Sequence, residues 1–244
     1  MQETRPAAQT APQPAAQAPA QRPTLGQQAA QAMPHPAQEK WREIWRLQPS
    51  TLLVLLKDPG ASVFLKAKIC QRLAEIGSRE AVPAVAPLLE DPQLSTYARF
   101  TLEVLPDSSA DAALRDAARK LQGPLLAGVL NSIGVRRDAA AVPLLAQRLE
   151  DSDAAVAQAA AAALGSIGTE PAARSLMEAL RRRRAEIRSA LHDAALVCGE
   201  RLEKAGRTAQ ALALYEAVRG DEPAPPVANV IARRIADSRG KGGL

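Results

Sequence analysis

The sequence predicts an all-α fold, an α-solenoid of about five helical-hairpin repeats closed by helical caps. Three observations predict it. Alanine and leucine, 52 and 30 residues, make up one third of the 244; they are the strongest helix formers, and alanine also lets helices approach closely. Aromatic residues are 2% of the chain, which excludes most all-β folds, whose strands favour aromatic and β-branched side chains. Finally, the sequence repeats itself. The tokens A-V-P, L-L-E-D or L-x-L-E-D, and a closing L-x-x-I-G return at intervals of about thirty residues, a period that marks stacked repeats.

Residues 1–37 hold 11 Ala, 8 Gln and 7 Pro, with no Val or Ile. Little there can be buried to offset the entropy of ordering, so a disordered tether is expected. Order is expected from residue 38. In EKWREIWRLQ, Trp41 and Trp45 stand four apart on one helical face beside Ile44. Such a helix either caps the open end of the stack or offers a docking surface for a partner. Repeats open near Ser50, Glu80, Ala110, Ala140 and Pro171. Each reads as two helices. Pro83 and Pro143 fall in the opening turn of the first, where a missing N–H does no harm. Asp58-Pro59, Asp91-Pro92 and Asp151-Ser152 separate the two, with Asp or Ser as N-caps. Gly77, Gly134 and Gly168 are expected as left-handed C-caps of the second helix. In the second helix of repeat one, Leu65, Ile69, Leu73 and Ile76 form an apolar face, and Lys68, Gln71, Arg72 and Glu75 the polar one. Repeat two ends in Leu105-Pro106 instead of Ile-Gly, and repeat five lacks an Asp-Pro turn. The solenoid is expected over 38–204, capping helices over 205–238 and a flexible tail over 239–244.

These tokens resemble HEAT repeats, particularly the short bacterial type named after phycobilisome lyases. The resemblance covers about residues 50–200 and is sharpest in repeats one, two and four. The stretch YARFTLEVLPDSSADAALRDAARKLQGPLLAGVLNSIGVRRDAAAVP (97–143) is also similar to HEAT segments of large modular bacterial proteins, often exported, where a separate catalytic or haem-bearing domain accompanies the repeats. AGRTAQALALYEAV (205–218) resembles the second half of a tetratricopeptide unit. What the resemblance implies is a scaffold fold; fold alone does not carry an activity.

Charge and chemistry narrow the function classes. The net charge of +5 permits an acidic partner without demanding one. Residues 151–180 carry one cation and four anions, whereas 181–220 carry nine and five. No apolar stretch reaches the length of a membrane span. Translation from Met1 implies a cytoplasmic protein, and removal of a leader would imply an exported one. With only Cys70 and Cys198, neither a disulfide framework nor a cysteine zinc site is expected. His35 and His192 are the only histidines, and no nucleophile-elbow, zincin, phosphate-loop or dinucleotide motif occurs. His192, Asp193 and Cys198 do not make a triad, because positions six apart lie on different helical faces. No cofactor, metal or catalytic residue is assigned.

The remaining candidates are surfaces. Arg181, Arg182, Arg183, Arg184 and Arg188 form the densest cationic cluster, read either as a solvated helix end or as a site for an anionic partner. Arg99 stands where sister repeats carry Cys70 and Ala161. With Asn131, Arg136 and Arg137 it is read either as local pairing or as a polar recognition patch. Lys68 and Arg72 extend that second-helix surface. The leading expectation is a non-catalytic adaptor that binds a protein through the solenoid surface. The alternatives are nucleic-acid binding through the Arg181–Arg188 cluster, and a bilin lyase or chaperone role implied by the short-repeat resemblance alone.

Overall fold

A computed structural model describes residues 43–241, with side chains to residue 237. The expected tether (1–37), Trp41 and the end of the tail lie outside the described residues. Those residues form twelve α-helices and no strand.

After a short helical turn carrying Ile44, the helices run in pairs. They are α1 (Pro49–Lys57) and α2 (Val63–Ile76); α3 (Val82–Val85) and α4 (Ser95–Val104); α5 (Ser108–Lys120) and α6 (Gly123–Arg136); α7 (Val142–Arg148) and α8 (Ala154–Ile167); α9 (Glu170–Arg181) and α10 (Arg188–Lys204); α11 (Thr208–Gly220) and α12 (Pro225–Lys241). The last helix therefore runs three residues beyond the expected 238. The second helices pack in succession, α2 on α4, α4 on α6, α6 on α8 and α8 on α10, while first helices meet their own neighbours alongside. One continuous core runs from Ile44 to Ile235. That is an α-solenoid.

Local chemistry explains the punctuation. The A-V-P token closes a 3-10 turn, Arg79–Ala81 or Ala139–Ala141, which Ser78 or Asp138 caps at its start, and its valine and proline begin α3 or α7. The aspartates between paired helices do not cap the second helix as expected. Asp58, Asp91 and Asp151 instead accept the N–H two residues ahead and turn the chain. Ser62 and Asp153 cap α2 and α8, and α4 has no side-chain cap.

Gly77 and Gly168 end α2 and α8 with φ of 71° and 66°, the left-handed C-cap expected. Gly134 differs. α6 continues two residues past it, and Arg137 takes the left-handed position at φ 55°. Gly134 is needed for closeness: a Cβ there would stand 2.8 Å from Ala163 Cα on α8. On the other side of α8, a Cβ at Gly165 would stand 2.7 Å from the Ala194 carbonyl oxygen of α10. Ala157, Ala160, Ala161 and Ala163 of α8 are buried. Small side chains thus let α8 seat closely between α6 and α10.

Near the C-terminal end, Tyr215 of α11 is fully buried against α10, where Gly199 leaves room for its ring. Tyr215 is the tyrosine of the tetratricopeptide-like segment, and the Gly199 that admits it lies outside that segment, on α10.

Candidate functional site

The arginines divide into two groups by what their guanidinium groups touch. Arg136 lies within a cage. It donates to the carbonyls of Leu102, Leu105 and Asp107, and pairs with Asp111. It therefore satisfies the open carbonyls at the end of α4, where Leu105-Pro106 replaces the Ile-Gly cap. Arg184 repeats the device on the Leu149 and Asp151 carbonyls after α7. Arg148 does the same on the Ala118 carbonyl of α5. Arg188 grips Asp221, donating to both carboxylate oxygens at 3.0 Å and to its carbonyl at 2.6 Å.

Asp221 is the centre of a buried polar group that the sequence reading missed. His192 Nε2 lies 2.8 Å from its Oδ2. Burial pushes the carboxyl pKa upward, but the bonds from Arg188 and His192, with their charges, outweigh this and hold it below the usual carboxylate range. Asp221 follows His192 by 29 positions, one repeat period. That spacing is the signal that could have found it.

Arg137, Arg181, Arg182 and Arg183 face water. Four arginines in a row do not fan around one helix, because α9 ends at Arg181 and the chain turns through Arg183 at φ 51°. Arg181 pairs with Glu178 at 3.4 Å, and Arg182 with Glu150 at 3.1 Å. The Arg183 Nε lies 4.0 Å from Asp221. Arg137 stands exposed on its left-handed turn.

Arg99 bridges α4 and α6 by donating to the Gly128 carbonyl and the Ser132 hydroxyl. Ser132 in turn donates to Glu103. The polar replacement at position 99 is thus absorbed between two second helices. Lys68 donates to Gln71 and lies 5.7 Å from the Phe64 ring. Arg72 and the Trp45 indole both reach Glu75, so Trp45 ties the entry turn to α2. Asn131 is exposed in a shallow trough with Ala127, Gln158, Ala162 and Asp193 across α6, α8 and α10.

A second property of this face went unread in the sequence. Phe100, Val104 and Val135 are 56%, 58% and 62% exposed. Phe100 and Val104 lie four apart on α4, offset from the buried Ala98, Thr101 and Leu102. Val104 and Val135 line one hollow with Arg137. A helix-by-helix search for apolar residues off the buried stripe would have located them.

The thiols of Cys70 and Cys198 are free and buried. Burial pushes them up to about 11 and about 12, respectively. Among the described residues, no group of His, Cys, Asp and Glu could hold a metal, and no helix is long and apolar enough to cross a membrane.

Fold and surface together define an α-helical repeat protein. The family model described as HEAT repeats matches residues 112–195, so the chain carries HEAT repeats there. Among solved structures it is similar to a chain in the complex of CpcE and CpcF of phycocyanin lyase from Nostoc sp. PCC7120. That chain is 18% identical, with 91% of this chain and 97% of that one covered and a TM-score of 0.43. No curated protein matches the sequence.

Proposed function

We propose that this chain is a non-catalytic scaffold that binds a protein partner through the face formed by its second helices. One observation carries the reading. Seven large apolar side chains are exposed among the described residues: Val54, Val63, Phe100, Val104, Val135, Val197 and Val230. All but Val54 belong to second helices, on α2, α4, α6, α10 and α12. Scattered exposure would fall on both helix sets; concentration on one is what a partner-binding face requires. Phe100, Val104 and Val135 form its densest part, and an aromatic anchor among aliphatic neighbours has the composition of an interface centre. The arginine cages support the same reading, since Arg136, Arg184 and Arg188 are spent on helix ends and not on a reacting group. Neither thiol supplies a thiolate at neutral pH.

Site-specific photo-crosslinking tests the reading. A photoreactive amino acid at position 100 or 135 is expected to capture a protein of the native source, and the same group at position 54 is not. Equal capture from all three positions, or none, would refute it.

A further inference from the structure

We propose that the groove between α9 and α11, on the opposite set of helices, binds an acidic peptide segment. Arg181 and Arg183 hold its carboxylates, and the groove floor takes a neighbouring apolar side chain. The floor is Met177 and Leu180 from α9, with Ala213 and Ala217 from α11. The two arginines on its rim are among the most solvent-exposed side chains of the cluster, at 76% and 70%. One carboxylate lines the groove, Asp221, and it is already saturated by Arg188 and His192 from beneath. The Arg183 Nε lies 4.0 Å from Asp221, a long contact at the edge of ion pairing, so the rim guanidinium is only loosely held by it. Arg181 keeps only an exposed pair with Glu178 at 3.4 Å, of the kind that contributes little.

The backbone supports this assignment. Arg183 adopts φ 51°, the conformation that Gly77 and Gly168 supply after α2 and α8. An arginine there bears a backbone penalty that glycine does not. Glycine would remove that cost, so the guanidinium stands on this turn against a local conformational penalty. Guanidinium forks match carboxylates geometrically, and their weak hydration suits a partly apolar groove. Nucleic acid fits less well, because no aromatic side chain lines the groove to stack a base.

The test uses the full chain and a fluorescein-labelled peptide of about twelve residues built from Glu-Glu-Leu repeats, followed by anisotropy at low and physiological salt. Saturable binding that weakens with salt is expected. Arg183→Gly is expected to weaken it about fivefold, and Arg181→Ala with Arg183→Gly about twentyfold, the scale of one and two surface charge pairs. The melting temperature of Arg183→Gly should be unchanged or higher, which separates lost binding from lost folding. Absence of peptide binding, or equal affinity in the wild type and the double variant, would overturn the proposal. So would tighter binding of labelled duplex DNA through the same two arginines. Phe100→Asp with Val135→Asp is expected to leave peptide affinity unchanged, so this groove and the second-helix face fail independently; a comparable loss would move the site to that face and overturn the proposal.

Discussion

Adding one methyl group at Gly165 should destabilise the protein, whereas the same change at Gly128 should not. Both glycines sit inside helices, α8 and α6, so alanine gains about 1 kcal/mol of helix propensity at either. Their surroundings differ. At Gly165 the new Cβ would lie 2.7 Å from the Ala194 carbonyl oxygen and 2.9 Å from its Cα, both backbone atoms of α10. Relief requires α10 to move away from α8, at about 1–3 kcal/mol for an overpacked contact. The net expectation is a loss of about 1 kcal/mol. At Gly128 the atoms nearest the new Cβ belong to the Arg99 guanidinium, 2.9 Å away at Nε, and this half-buried side chain can swing aside. The loss of its bonds to Gly128 and Ser132 roughly offsets the propensity gain. Thermal unfolding followed by circular dichroism reads the contrast. At about 2–4 °C per kcal/mol, Gly165→Ala should melt a few degrees below Gly128→Ala. A Gly165→Ala protein that melts above the wild type would show propensity unopposed, and the close α8–α10 contact would be wrong.

Arg137→Gly should raise the melting temperature by about 2–4 °C, because it relieves a left-handed arginine; a fall would mean the side chain stabilises the turn. Arg136→Met should cost about 3–5 kcal/mol in denaturant titration, since it strands Asp111 and the carbonyls after α4, and a loss below about 1 kcal/mol would show the cage to be dispensable. The Asp221 carboxyl titrates lower folded than unfolded, so its contribution is present above an unfolded pKa of about 3.9 and is lost as pH falls through the lower folded value. The gap in melting temperature between wild type and Asp221→Asn should therefore be widest near neutral pH and close in strong acid; a gap independent of pH would contradict the pairing. Cys70 and Cys198 should resist iodoacetamide at pH 8 in the native protein and react once it is unfolded, with rapid native labelling counting against their burial.

The architecture was legible because repetition multiplies weak signals. A single L-x-x-I-G says little, but its three copies place the ends of α2 and α8 and the last turn of α6. The errors arose where one residue type serves two physical needs. Gly134 looked like Gly77 and Gly168, yet glycine also permits close helix approach, and only the seating of α8 reveals which use applies. Asp58 and Asp151 looked like N-caps, but an aspartate can turn the chain on itself before the helix begins. The arginine cages were hidden for a different reason. Each joins a side chain to carbonyls about one repeat away, as Arg184 does to Leu149 and Arg148 to Ala118. Backbone acceptors carry no sequence signature. The exposed Phe100, Val104 and Val135 were unread because attention to the buried stripe leaves the opposite helix face unexamined.

The most direct measurement of the central claim is a quantitative pull-down from the native source with three baits: the wild type, Phe100→Asp with Val135→Asp, and Val54→Asp. All three changes replace exposed side chains, so all three baits should fold. One protein partner is expected, recovered equally by the wild type and Val54→Asp and lost by the paired substitution. A partner recovered equally by the paired substitution, or lost only with Val54→Asp, would contradict a binding face made by the second helices.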